Sequence, residues 1–178
     1  STLTGSKTFF NVTVTSTGII NDNKSISLSS TAGAVLTNYG TIATGTLGTG
    51  SYSMFNYGIV TNTGGFNSGS ALGSFYNYAG GIFNFTGGAG CSIKNYGTLN
   101  INTYTGANAA SIYNYSGGVT SFIVGTPSAS NWNLYTNYSG NKVIYSSATS
   151  QTIKLPADGT YYNLTLTNSG DKTIGTVA

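Results

Sequence analysis

The chain contains no glutamate, no arginine and no histidine, and charged residues make up only 5% of its 178 positions. A typical domain devotes about a quarter of its residues to charge. Each absence closes a class of function. Without histidine, His-ligated metal centres and Ser-His triads are excluded. Without arginine, the six lysines (Lys7, Lys24, Lys94, Lys142, Lys154 and Lys172) are scattered, and a net charge of +3 makes no basic patch. Nucleic acid is therefore not an expected partner. Asp22, Asp158 and Asp171 are the only acidic side chains, whereas polysaccharide-cleaving enzymes work with paired carboxylates. The one pair on offer, Asp158 and Asp171, sits in Asp158-Gly159 and Asp171-Lys172, which read as turn chemistry. Asn21-Asp22-Asn23 has one carboxylate, too little ligand charge for a calcium loop. Gly45-Thr46-Leu47-Gly48-Thr49-Gly50 lacks the lysine of a phosphate loop and reads as a turn between coils. The expectation is a protein that is not an enzyme, with no metal and no cofactor.

Cysteine is nearly absent as well. The lone Cys91 has no internal partner for a disulfide and falls where a small buried hydrophobe fits. No apolar run approaches the ~20 residues of a membrane-spanning helix, and no charged and apolar leader opens the chain. A secreted protein with this sequence would be a mature form whose leader has gone. The residues that fill helix surfaces are scarce, while Thr, Tyr, Val, Ile and Gly are abundant.

What the sequence does have is a repeat. An apolar residue, any residue, Asn-Tyr and a small residue recur as Leu36-Thr-Asn38-Tyr39-Gly40, Met54-Phe-Asn56-Tyr57-Gly58, Phe75-Tyr-Asn77-Tyr78-Ala79, Ile93-Lys-Asn95-Tyr96-Gly97, Ile112-Tyr-Asn114-Tyr115-Ser116 and Tyr135-Thr-Asn137-Tyr138-Ser139. Successive asparagines lie 18, 21, 18, 19 and 23 residues apart. A period of about 20 residues suits one supersecondary unit stacked on its neighbours. Period-two segments such as Val12-Thr-Val14 and Leu99-Asn-Ile101 supply strands. Clusters such as Asn21-Asp22-Asn23 and Ser116-Gly-Gly118 supply turns. The 14 tyrosines and 8 phenylalanines recur in step with the repeat, which argues against a disordered tract.

Alternation assigns directions. If the apolar residue two before each asparagine faces inward, so does the asparagine, and the tyrosine faces out. Asn38, Asn56, Asn77, Asn95, Asn114 and Asn137 then form an internal ladder of amides, since a buried amide needs partners and the next coil provides one. Tyr39, Tyr57, Tyr78, Tyr96, Tyr115 and Tyr138 form an outer aromatic stripe, which either stiffens the rod by self-stacking or contacts another copy or a glycan. The small residue after the tyrosine permits a sharp, left-handed bend.

The ends differ from the middle. Phe9-Phe10-Asn11-Val12-Thr13-Val14 parallels Tyr161-Tyr162-Asn163-Leu164-Thr165-Leu166, and the sequence runs on through Ile174 and Val177 without a polar closing segment. Solenoids need polar caps, because an open end exposes core and strand edges. Phe9, Phe10, Val12, Val14, Tyr161, Tyr162, Leu164, Leu166, Ile174 and Val177 are thus candidates for end-to-end assembly. One domain over 1–178 is expected, with end coils at 1–33 and 146–178, Asn-Tyr coils at 34–145, and roughly eight coils in all.

Leu36-Thr-Asn-Tyr-Gly-Thr-Ile42 and Ile93-Lys-Asn-Tyr-Gly-Thr-Leu99 resemble the repeats of bacterial surface β-helices of the filamentous-haemagglutinin and autotransporter-passenger type, over roughly 34–145. The span from Gly159 to Ile174 is similar to a repeat of large secreted surface proteins of Bacteroidetes-like bacteria. The resemblance implies a single-stranded right-handed parallel β-helix, export to the cell surface or beyond, and adhesive or structural work. The expected function is a subunit of an extracellular fibre or adhesin that polymerises head to tail. The alternative is a module that binds surface glycans through the tyrosine stripe. Ice binding through Thr13/Thr15 and Thr165/Thr167, or polysaccharide cleavage, ranks lower.

Overall fold

The computed structural model describes residues 6–29, 33–48, 53–67, 74–88, 90–104, 111–124 and 132–175, and within these it contains strands and turns but no helix. The first strands are β1 (Lys7–Phe9), β2 (Asn11–Val14), β3 (Ile19–Leu28), β4 (Val35–Asn38), β5 (Thr41–Gly48) and β6 (Met54–Asn56). There follow β7 (Ile59–Asn62), β8 (Phe66–Asn67), β9 (Ser74–Asn77), β10 (Ile82–Gly87), β11 (Ser92–Asn95) and β12 (Thr98–Tyr104). The chain continues through β13 (Ser111–Asn114), β14 (Val119–Phe122), β15 (Asn133–Tyr135), β16 (Lys142–Tyr145), β17 (Gln151–Ile153), β18 (Leu164–Leu166) and β19 (Lys172–Ile174).

Every pairing is parallel and links one coil to the next. One face is a seven-stranded sheet in the order β15-β13-β11-β9-β6-β4-β2. The second runs β1-β3-β5-β7-β10-β12-β14-β16-β18, with β8 beside β5. A third strand position per coil begins where β1 pairs with Ile26–Leu28 of β3, and near the other end it is taken by the β17–β19 pair. The fold is a parallel β-solenoid of about seven turns, one fewer than the repeat length suggests.

Two segments expected to be turns are strand instead. Asn21-Asp22-Asn23 lies inside β3, which accommodates its corner by a register shift between Asp22 and Ser25 rather than by breaking. Gly45 to Gly48 continues β5, and Leu47 is wholly buried. A solenoid corner needs only a local irregularity, because the ladder to the neighbouring coil holds the backbone on both sides.

The core is a column of one or two side chains per face in each coil. Leu36, Met54, Phe75, Ile93, Ile112 and Leu134 fill the inward position of the first face, and Ile42, Val60, Phe83, Leu99 and Val143 that of the second. Phe75 stacks on Phe83 across the interior at 4.2 Å, and Phe66 meets Phe75 edge-on at 5.4 Å. Burying each such side chain stabilises the fold by roughly 1.5–3 kcal/mol.

The corner glycines do a different job from the one alternation suggests. Gly58 has no left-handed φ; a Cβ there would lie 2.2 Å from the Gly40 carbonyl oxygen of the previous coil. Close approach of stacked backbones, which lets Ile59 N–H donate to Gly40 O at 2.8 Å, is what demands glycine. Left-handed backbone appears in the longer turns, at Gly80 (φ +85°) and Gly117 (φ +77°).

Candidate functional site

The asparagine column is continuous over five coils. Asn38 Nδ2 donates to Asn56 Oδ1 at 2.8 Å, Asn56 to Asn77 at 2.7 Å, Asn77 to Asn95 at 2.8 Å and Asn95 to Asn114 at 2.9 Å. All five side chains are fully buried. Each Nδ2 spends its second proton on backbone carbonyls of the corner, as Asn77 does with Thr98 O at 2.9 Å, and Asn38 Oδ1 accepts the Gly40 N–H. The amides thus satisfy each other and the bend they sit beside.

Asn137 does not belong to this column. The register matches Ile112 with Leu134 and Tyr113 with Tyr135, so Thr136 occupies the position after them, opposite Asn114. Beyond the corner Val119 pairs with Lys142, so this coil carries one residue more than its neighbour between the two strands. That residue slips the motif outward: Thr136 is buried, Asn137 is exposed, and Asn114 Nδ2 donates to Lys142 O instead. The buried amide of the seventh coil is Asn141, which donates to Asn114 O and Thr136 O.

The tyrosine column faces outward throughout. Tyr39 and Tyr57 are 5.1 Å apart, Tyr57 and Tyr78 4.7 Å, Tyr78 and Tyr96 5.8 Å, and Tyr96 and Tyr115 4.6 Å, with interplanar angles of 8–14°. Tyr138 tilts by 50° on Tyr115, at the slipped coil. A second outer column, missed in the sequence, stands beside it at the unspecified motif position. It holds Phe55, Tyr76, Lys94, Tyr113 and Tyr135. Tyr113 stacks on Tyr135 at 4.6 Å, and Lys94 Nζ lies over the Tyr76 ring at 4.6 Å. The signal for this column was present, as an aromatic residue at that position in three of the six repeats, Phe55, Tyr76 and Tyr113; Tyr135, the apolar residue of the sixth motif, joins through the slipped register.

Ring faces in the first column cover one another, so edges and hydroxyls meet solvent. Burial, then the neighbouring phenols Tyr138 and Tyr96, push Tyr115 up to about 12. Tyr78 is raised by burial and by Tyr57 and Tyr76. An ionised phenol among stacked phenols is disfavoured by desolvation and by any second negative charge.

The end residues divide. Val14 is buried in the chain's own core, and Phe9, Val12 and Tyr161 pack against it. Tyr161 Oη donates to Lys154 O and meets Tyr145 Oη at 3.2 Å, so it ties down the last coil rather than reaching outward. Phe10, Tyr162, Leu164, Leu166 and Ile174 are exposed, and Val177 lies outside the described residues. The far edge of β15 is covered: Ala157 N–H donates to Leu134 O, and Asp158 Oδ2 accepts the N–H groups of Thr136 and Asn137 at 2.7 and 2.8 Å. On β19, Lys172 Nζ donates to Ser147 O and Gly170 O. β18 pairs with β16 on one side and β19 with β17, and among the described residues neither strand pairs on its other side. An open cavity of about 520 Å³ lies at the first coil, lined by Val12, Val14, Gly18, Ile19 and Ile20 among others.

Cys91 is buried, and burial drives its thiol well above the usual range, so it packs as a hydrophobe. Among the described residues no three His, Cys, Asp or Glu side chains gather to hold a metal, and no helix is long and apolar enough to cross a membrane. The chain matches no known protein family, no curated protein and no solved structure.

Proposed function

We propose that this protein is a structural rod, a segment of an extracellular fibre or surface adhesin that joins further copies or coils end to end by strand addition. The observation that carries the reading is β18. Leu164 and Leu166 continue the inward columns of Val143 and Tyr145, yet they are 39% and 47% exposed. A core column that reaches the edge uncovered, beside a strand with one free side, is the arrangement that accepts another strand. The covered edge of β15 directs that addition to the second face and to the adjoining β19, whose outer side is also unpaired among the described residues and carries the exposed Ile174. The open cavity at the first coil, lined by Val12, Val14 and Ile20 together with Thr13, Thr15 and Thr17, supplies the other half of a head-to-tail joint, and heterologous contacts along a rod axis give filaments rather than rings. A surface with few charges opposes close approach only weakly.

Glycan binding by the stripe is the weaker reading. A sugar ring docks on the open face of an aromatic ring, and here those faces are occupied by neighbouring tyrosines. Sedimentation of the wild-type chain against a Leu164→Lys/Leu166→Lys variant tests the proposal. Concentration-dependent polymers are expected from the first and monomers from the second.

A further inference from the structure

Three consecutive coils place an oxygen-bearing side chain at one inward position of the second face. Asp22 pairs with Thr44, and Thr44 with Asn62. All three are buried, Asp22 being 5% exposed, Thr44 3% and Asn62 1%. In the next coils the same position holds Phe85, Ile101, Phe122 and Tyr145. The polar column is therefore a local feature of the first three coils.

Its hydrogen bonds do not balance. Thr44 has one hydroxyl proton, directed at Thr46 O (3.0 Å) and Lys24 O (3.3 Å). Asn62 Nδ2 spends its protons on Gly45 O and Gly65 O at 3.3 and 3.4 Å. Asp22 Oδ1 accepts the Lys24 N–H at 2.9 Å. Asp22 Oδ2 and Asn62 Oδ1 are left buried with no partner, and Thr44 Oγ1 keeps free lone pairs. The column holds acceptors, no spare donor, and one formal negative charge. A buried carboxylate oxygen in that state is costly. Water would supply donors and leave the charge in place; a cation satisfies both.

We propose that a monovalent cation of sodium's size binds between the first and second coils, held by Asp22 Oδ2 and Thr44 Oγ1. Parallel strands stand ~4.8 Å apart. Asp22 and Thr44 stand opposite one another at that spacing, which accommodates an ion whose oxygen ligands lie at roughly 2.3–2.6 Å, the range of calcium, an ion of sodium's size. Charge decides between the two ions. One carboxylate neutralises one positive charge, and calcium would leave an unbalanced positive charge in the core. The ion would fasten the first two coils where β3 shifts register between Asp22 and Ser25.

The test is thermal unfolding of the full chain in sodium chloride against choline chloride at equal ionic strength, with ²³Na relaxation as a direct readout of binding. A saturable rise in Tm of about 2–4 °C with sodium is expected. Asp22→Asn brings its own donor and should lose the sodium response while melting higher than wild type in choline. Thr44→Val should lose the response too, which keeps the test open if one variant fails to fold. Equal Tm in the two salts, or a sodium effect that survives undiminished in both variants, overturns the proposal.

Discussion

Asn95 Nδ2 donates to Asn114 Oδ1 at 2.9 Å, and there the amide column stops, because the next coil turns Thr136 inward and Asn137 outward. The two asparagines Asn114 and Asn137, alike in sequence context, therefore differ in energy. Asn77→Ala in mid-column removes the acceptor of the 2.7 Å Asn56 bond and the donor of the 2.8 Å bond to Asn95, while Gly58 O and Ile82 O still accept from Asn56 and the Gly97 N–H still donates to Asn95. It should cost about 1–3 kcal/mol, since two buried hydrogen bonds worth about 0.5–1.5 kcal/mol each are lost. Asn137→Ala should stay within about 0.5 kcal/mol. Urea unfolding followed by circular dichroism measures both; equal effects would mean that the register of the seventh coil is wrong.

The corner column makes a prediction about glycine. Gly58→Ala places a Cβ against the Gly40 carbonyl oxygen, which belongs to the backbone and has no room to yield. Gly65 has nothing within 4 Å of the same atom and no left-handed φ. Gly58→Ala should lower Tm by several degrees or prevent folding, while Gly65→Ala should be neutral or slightly stabilising.

The stacked phenols make stability sensitive to alkali. Tyr115 is raised from 10.0 to about 12, so between those pH values the unfolded chain has released a proton that the folded chain retains. The folded state binds more protons there, and stability falls as pH rises. The contribution is intact below about pH 10 and lost by about pH 12. Ultraviolet titration of phenolate should show tyrosines ionising above the ordinary range, and Tyr115→Phe should remove one of them. Fourteen tyrosines titrating together near pH 10 would contradict the stacked column.

At the joint, Leu164→Lys/Leu166→Lys should abolish polymers while leaving Tm nearly unchanged, because both side chains are already exposed in the single chain. A large drop in Tm would place these leucines in the chain's own core and leave no joint.

Much of this was legible in the sequence, and the limits have physical causes. Asn38 to Asn114 could be set inward and Tyr39 to Tyr115 outward from period two alone, because each coil repeats the same strand register. Asn137 could not be placed, since one inserted residue shifts direction without altering the motif. The outer column of Phe55, Tyr76, Tyr113 and Tyr135 was overlooked because its position also admits Thr37 and Lys94. Tyr161 looked like an end contact by analogy with Phe9. Only its hydrogen bonds to Tyr145 and Lys154 show it folded back. The turns expected at Asp22 and Gly45 were strand, because a corner braced by neighbouring coils requires little turn chemistry of its own.

The most direct test of the rod is negative-stain electron microscopy of the purified chain at rising concentration. The account predicts filaments one solenoid wide that lengthen with concentration. Monodisperse short rods at every concentration would contradict it.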